Sequence, residues 1–314
     1  MKEMGKNNQM PCISVVVPVF NSEETIIPLY KRLISVLRNL TDEYEIIFVN
    51  DASVDGSSNV IKVLGKKDPK IIGIDLMRNF GQHNALLCGI RRAKYQYIVT
   101  LDDDLQNPPE EIPKLIDKIN EGYDVVYGTP DKEQHGFLRN LASITTKVAL
   151  KKVMEVESAR HASTFRIFRT KLRDAFKHFN SSFVIIDVLL TWGTRNFSSI
   201  IVKHYPRQSG KSNYSFKQLV IISLNMITGF SILPLQIASI LGFTFAIFGI
   251  FILLYVLCIF LIMGSGVPGF PFIASIIAIF SGVQLLAVGI IGEYLARMHF
   301  RLMGKPQYIE SDNT

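Results

Sequence analysis

Three aspartates stand in a row, Asp102, Asp103 and Asp104, directly after the apolar run Tyr97-Ile98-Val99-Thr100-Leu101. Carboxylates packed at the end of a buried strand are costly as ions unless something cationic compensates them. The pattern therefore points to a divalent-cation site at a sheet edge. Asp51 follows the apolar run Glu45 to Asn50 in the same manner. For each acid a plainer reading stands beside the chemical one: a solvated acidic turn at 102–104, and a hydrogen-bonded turn of Asn50, Asp51 and Ser53.

Acids at strand ends need a sheet to hold them. Ile13 to Phe20, Glu45 to Asn50, Ile71 to Leu76, Tyr97 to Leu101 and Asp124 to Tyr127 are short apolar runs of the kind that form buried strands. Helix-length segments lie between them at Ser22 to Asn39, Gly56 to Lys67, Gln82 to Ala93 and Pro109 to Glu121. The alternation predicts a mostly parallel α/β sheet, and in open sheets of this type the loops after the strands bind ligands. Asn21 with Glu24 three residues on is close to a capping box, so the first helix is expected to start there, at an end that can also bind an anion. Asp103 is expected to face solvent. After Tyr127 come a polar stretch, Gly128 to Gly136, a helix over Phe137 to Val153 and a short strand near Phe165 to Phe168.

The last third is of another kind. Gln218 to Gly292 contains no Asp, Glu, Lys or Arg, a length that calls for lipid. The residues between Phe216 and Phe230 suit a helix lying along a bilayer surface, with a buried soluble helix as the alternative. Two spans follow, Pro234 to Met263 and Phe270 to Glu293, joined by a turn rich in glycine and proline. Lys203, Arg207, Lys211 and Lys217 precede the pair and Arg297, Arg301 and Lys305 follow it. The positive-inside rule then places both flanks, and so both termini, in the cytoplasm. The expected organisation is a catalytic domain over 1–214, an interfacial helix over 215–231, two transmembrane helices over 232–296 and a cytosolic tail over 297–314. Met1 to Met10 has no apolar stretch suited to a cleaved signal, so insertion is expected to be directed by the C-terminal helices. The net charge of +7 comes from dispersed basic residues without a nucleic-acid-reading motif, so no nucleic-acid partner is expected. Anionic headgroups and phosphorylated substrates fit it better. Three widely spaced cysteines indicate neither a disulfide framework nor a zinc site.

Four segments, in order, carry a family resemblance: Pro18-Val19-Phe20-Asn21-Ser22-Glu23-Glu24; Val49-Asn50-Asp51-Ala52-Ser53-Val54-Asp55-Gly56-Ser57; Leu101-Asp102-Asp103-Asp104-Leu105-Gln106-Asn107-Pro108-Pro109-Glu110; and Arg207-Gln208-Ser209-Gly210-Lys211-Ser212-Asn213-Tyr214. Together they resemble the family 2 glycosyltransferases. The basic segment and the two spans make the chain similar to the polyprenyl-phosphate branch, which includes the dolichol-phosphate mannose synthases, the bactoprenol glucosyltransferases and the aminoarabinose transferases of lipid A modification. The resemblance runs from Ile13 to about Ile309. It implies a GT-A (Rossmann-like) domain, a nucleotide-sugar donor with a UDP-hexose as the default, a polyprenyl-phosphate acceptor, the inner membrane of the cell envelope as location, and a homo-oligomer, a tetramer among relatives.

The resemblance also implies roles. Asp102 and Asp104 match the Asp-x-Asp positions, whose hard oxygens suit Mg²⁺ or Mn²⁺. Pro18, Phe20, Glu24, Asp51 and Asp102 would line the nucleotide-sugar site, with Asp51 an acceptor for a uracil ring or ribose hydroxyl. Arg139 and Ser143, four apart and so on one helix face, would hold the lipid phosphate; an exposed Arg and a small packing Ser are the alternative. Arg207 and Lys211 would close over the donor diphosphate or pair with lipid headgroups. Arg78 to Ala85 is similar to the segment between the third strand and its helix, where His83 is read as a surface histidine. Two rivals remain. A processive polysaccharide synthase would carry Gln-x-x-Arg-Trp, whereas the single tryptophan here is Trp192, in Thr191-Trp192-Gly193. A non-catalytic membrane protein that binds nucleotide sugars would release no nucleotide.

Overall fold

A computed structural model describes residues 10–130, 162–181, 183–205, 233–263 and 269–312. The chain divides into two compact units, one comprising 1–219 with 304–314 and the other 220–303.

In the first unit, β1 (Ile13–Val19), β2 (Tyr44–Asn50), β3 (Ile71–Asp75) and β4 (Tyr97–Thr100) alternate with α1 (Glu23–Leu40), α2 (Ser57–Lys67) and α3 (Gln82–Arg92). A 3₁₀ turn at Pro109–Glu111 leads into α4 (Ile112–Asn120), followed by β5 (Val125–Pro130), β6 (Arg166–Arg169), α5 (Ile186–Thr191) and β7 (Phe197–Val202). The strands form one sheet in the order β3-β2-β1-β4-β6-β5-β7. Its β3-β2-β1-β4 half is parallel, while β6 runs antiparallel to β4 and β5. Strands β1 and β2 are buried along their whole length, as expected for strands covered on both faces. Helix α1 turns Ile26, Leu29, Leu33 and Leu37 inward, and α4 turns Ile112, Leu115, Ile116 and Ile119 inward. Both follow the three-to-four spacing of an amphipathic helix, and each large side chain so buried contributes about 1.5–3 kcal/mol. A methyl group at Gly89 would collide with Val16, so only glycine lets α3 lie this close to β1.

The expected strands and the helices between them form with most ends shifted by a residue or two; β5 runs three residues past its expected end at Tyr127, and the helix expected from Pro109 opens as a 3₁₀ turn, so that α4 itself starts at Ile112. The start of α1 differs from expectation. Ser22, not Asn21, precedes the helix, and no side-chain cap forms. Asn21 adopts φ 53° and accepts a hydrogen bond from Val54 N at 2.9 Å. The N–H groups of Asn21, Ser22 and Glu23 donate to Ser53, Ser57 and Asp55 of the following loop. Asn21 N, the group that a capping box would tie to Glu24, is already partnered, so the expected capping box gives way to a splice between the β1 and β2 loops. Strand β7 lies outside the expected runs, because Phe-Ser-Ser-Ile-Ile-Val is a half-exposed edge strand and lacks the continuous apolar run of its neighbours.

After the apolar helices the chain rejoins this unit. Met77 N donates to Ile309 O at 3.0 Å and Ser311 N to Asp75 O at 2.7 Å, so residues 309–311 cover the edge beside β3. Gln307 is buried; its amide donates to Phe179 O (2.9 Å) and Ser181 O (3.2 Å) and accepts from Arg91 Nη1 (2.7 Å). Gln307→Ala should destabilise the unit by about 1–3 kcal/mol, because buried partners lose their bonds. Hydrogen exchange at Met77 and Ser311 should quicken; unchanged protection there would show that the tail docks without Gln307.

The second unit holds α6 (Leu233–Met263) and α7 (Phe270–Leu302). At about 1.5 Å per residue each exceeds the roughly 30 Å of a hydrocarbon core. The stretches Pro234–Ile259 and Ile279–Leu302 are long and apolar enough to cross a membrane. Helix α7 continues past the expected end at Glu293, and Glu293 pairs with Arg297 at 2.7 Å one turn on. The rings of Phe245 and Phe280 meet edge to face at 5.7 Å. The predicted helix over Phe137–Val153, the interfacial helix and the turn at 264–268 lie outside the described residues.

Candidate active site

Strand order reverses beside β1, whose neighbours are β2 on one side and β4 on the other. The crevice beyond such a switch point is where open α/β sheets bind ligands. The loops after β1, β2 and β4 meet there. Each contains one non-glycine residue with positive φ: Asn21 (53°), Ala52 (55°) and Leu105 (60°). They are the only such residues among those described, and strain of this kind gathers at functional sites.

Asp51, 3% exposed, accepts from Phe80 N on one carboxylate oxygen (2.7 Å) and from Gly81 N on the other (2.8 Å). Burial raises its pKa against the pull of those two N–H groups. Asp102 is gripped likewise by side chains: Gln82 Nε2 donates to Oδ1 at 2.6 Å and Thr164 Oγ1 to Oδ2 at 2.7 Å. Burial pushes its carboxyl up to about 6, opposed by the Thr164 hydroxyl and reinforced by the charges of Asp104 and Asp103. Asp104 accepts from Gln106 N at 3.1 Å, which closes the turn. Asp103 is half-buried and also bonded: Phe20 N donates to it at 3.2 Å, joining the β1 and β4 loops across the switch point.

Pro18 pairs with Val49 inside the sheet, Phe20 is exposed at the mouth, and Glu24 is exposed on the first turn of α1. It is Glu23 that reaches the next loop, accepting from Gly56 N at 2.8 Å. Arg139, Ser143, Arg207 and Lys211 lie outside the described residues. Tyr205, the last described residue before Arg207 and Lys211, donates its N–H to Gln106 O at 2.9 Å, against the acidic loop.

Beneath the acids lies a network with no signature in the sequence. Arg166, fully buried, forms an ion pair with Asp187, which also accepts from Tyr127 OH at 2.9 Å. Arg166 Nε donates to Thr100 Oγ1 at 3.0 Å, and that hydroxyl donates to Thr164 O at 2.6 Å. The chain of bonds thus runs from Asp187 to the residue that holds Asp102. His83, read as a surface histidine, has a shielded Nδ1 without a hydrogen-bond partner, and burial lowers its pKa to about 4. Its ring is neutral at physiological pH.

Among the described residues no three His, Cys, Asp or Glu groups close into a metal cage. The donor set suits an ion of another kind. Mg²⁺ and Mn²⁺ take hard oxygens, and Mg²⁺ in particular is commonly held by one or two carboxylates and completed by substrate phosphates. Asp102, raised by burial beside two further acids, is a carboxylate that such a cation would stabilise as an ion.

Comparison with known proteins shows the family. Residues 14–186, more than half of the chain, match the model of Glycosyl transferase family 2. The undecaprenyl-phosphate 4-deoxy-4-formamido-L-arabinose transferase of Shewanella sediminis (strain HAW-EB3) is 33% identical over 312 residues, covering 98% of this chain and 94% of the relative. That of Proteus mirabilis (strain HI4320) is 33% identical over 299 residues, covering 94% and 92%. Among solved structures, glucosyl-3-phosphoglycerate synthase from Mycobacterium tuberculosis with Mn²⁺, UDP-glucose and phosphoglyceric acid aligns over 69% of this chain and 78% of that one, at 17% identity and a TM-score of 0.48. Mannosyl-3-phosphoglycerate synthase from Rubrobacter xylanophilus covers 69% and 72%, at 15% identity and a TM-score of 0.49. With acids at the ends of β2 and β4, a family match across both and relatives aligned along almost the whole chain, this protein belongs to glycosyl transferase family 2 and is a glycosyltransferase.

Proposed function

We propose that the protein transfers a sugar from a UDP-sugar to a polyprenyl phosphate, with undecaprenyl phosphate as acceptor, at the cytoplasmic face of the inner membrane. The observation that carries this reading is the meeting of Asp51 with the Asp102–Asp104 loop at the switch point, in a chain that also has two helices of bilayer length. The whole-length relatives are named for undecaprenyl phosphate, which supports the acceptor. Basic residues on both sides of the apolar helices support the orientation. Two slender helices per chain favour assembly with further copies, a tetramer by resemblance.

In this reading Asp51 accepts hydrogen bonds from the base or ribose, beside Pro18, Phe20 and Glu24. Asp102 and Asp104 would hold Mg²⁺ or Mn²⁺, which when bound would neutralise charge on the diphosphate and improve it as a leaving group. Arg207 and Lys211 cover the diphosphate; the bond from Tyr205 to Gln106, two residues before Arg207, supports their reaching it. Arg139 and Ser143 grip the lipid phosphate. A phosphate monoester has a second pKa of about 6 and is largely ionised near neutrality, so attack on the anomeric carbon needs no strong general base. The attacking oxygen forms a new bond to that carbon as the bond to the nucleotide diphosphate breaks, and the configuration inverts. Positioning and electrostatics supply most of the rate.

The relatives' sugar, 4-deoxy-4-formamido-L-arabinose, is a second donor candidate beside a UDP-hexose such as UDP-glucose, favoured by their match along the whole chain. Full-length protein incubated with undecaprenyl phosphate, Mn²⁺ and a panel containing both UDP-sugars should yield a lipid-linked sugar from one of them. No lipid product from any donor would contradict the reading. Arg139→Ala should raise KM for undecaprenyl phosphate by roughly ten- to a hundredfold, the loss of a charge-assisted hydrogen bond, with KM for the donor nearly unchanged. A change confined to the donor would remove Arg139 from the phosphate site.

A further inference from the structure

We propose that Gln82 is a positioning residue for Asp102, and that the turn Phe80-Gly81-Gln82 mechanically links the nucleotide-binding carboxylate to the metal-binding one. The inference rests on the transferase reading above and adds a device by which its two binding events reinforce each other.

Three consecutive residues of one turn serve two acids from different strands. Phe80 N and Gly81 N take both oxygens of Asp51, at 2.7 and 2.8 Å, and the next side chain takes Asp102 Oδ1 at 2.6 Å. Gly81 sits at φ 94° with no obstacle around it, a backbone state that other residues enter only under strain. The turn is held further by the Arg78 guanidinium, 4.5 Å from the centre of the Phe80 ring, and by Asn84 Nδ2 donating to Phe80 O at 2.7 Å.

Gln82 itself is exposed, and an exposed glutamine ordinarily loses more side-chain entropy by fixing its amide than one hydrogen bond to water-competing groups returns. The bond is worthwhile where the acceptor is a half-buried carboxylate already held on its other oxygen, as Asp102 is by Thr164. The opposite oxygen is held from the sheet, through Thr164, Thr100 and Arg166. Asp102 is thus clamped on one side by the rigid core and on the other by the turn that Asp51 fixes. Anything that orders the turn by engaging Asp51 also orders the Gln82 side of the clamp. By thermodynamic reciprocity, a cation that prefers the clamped Asp102 tightens nucleotide binding by the same factor.

Calorimetric titration of UDP into the full-length protein, with and without Mn²⁺, tests this without turnover. For Gln82→Leu, the factor by which Mn²⁺ tightens UDP should fall about fivefold or more, with the metal-free affinity within about twofold of wild type and the melting temperature unchanged. Gln82→Asn, one methylene too short to span the gap, should behave alike. An unchanged Mn²⁺ factor in both variants, or an equal loss with and without Mn²⁺, overturns the positioning role while leaving the transferase intact. Wild-type protein that binds UDP with no response to Mn²⁺, or binds no UDP, overturns the transferase reading and this inference with it.

Discussion

Asp104→Asn is expected to lower sugar transfer by on the order of a hundredfold to a thousandfold, the range for removing a group that stabilises developing charge. The substitution separates charge from structure. Asp104 Oδ1 accepts the Gln106 N–H that closes the turn, and the asparagine carbonyl can still accept it, so the loop should keep its shape. What disappears is a formal charge and a hard anionic ligand. Steady-state rates at saturating donor and acceptor, across a range of Mn²⁺ concentrations, measure the effect. Excess metal should restore part of the rate only if Asp104 acts through cation affinity. Near wild-type turnover would remove this residue from the chemistry.

Arg166→Met should give the largest loss of stability. The guanidinium is fully buried, paired with Asp187 and bonded to Thr100. Taking it away leaves Asp187 as a buried carboxylate supported by Tyr127 OH, and breaking such a pair from one side costs about 3–5 kcal/mol. For a unit of this size that corresponds to a fall of roughly 6–20 °C in melting temperature, measurable in detergent solution. The double variant Arg166→Met with Asp187→Leu should recover much of the loss, since two apolar side chains leave no charge behind. Equal instability of the single and double variants would show that packing, not charge, sets the effect. Activity should fall in both, because Thr100 loses the donor that helps fix Thr164, and through it Asp102.

The parts of this architecture legible in the sequence are those governed by local pattern. Val15-Val16-Val17 and Ile46-Ile47-Phe48 are continuous apolar runs because their strands are covered on both faces, and burial of that kind leaves its mark on composition. The acids at 51 and 102–104 stood out because each follows such a run. The rest depends on pairs distant in the chain. Nothing local marks Asp187 as the partner of Arg166, or Gln307 as the residue that reaches Arg91. Gln82 and His83 lie in the segment between the third strand and its helix, where nothing local gives Gln82 a partner and His83 reads as a surface residue, yet Gln82 holds Asp102 and His83 Nδ1 is shielded. Asn21 read as a cap because its type suits one. The neighbouring loop instead offers Ser53, Asp55 and Ser57, and tertiary partners satisfied the helix end in place of a local one.

The most direct test of the central claim is release of UDP by the full-length protein when the UDP-sugar, undecaprenyl phosphate and Mn²⁺ are supplied together and each is then withheld in turn. The proposed roles, a cation held by Asp102 and Asp104 and a lipid phosphate as nucleophile, predict rapid UDP release only when all three are present. Release undiminished without metal or without the lipid phosphate would contradict the account.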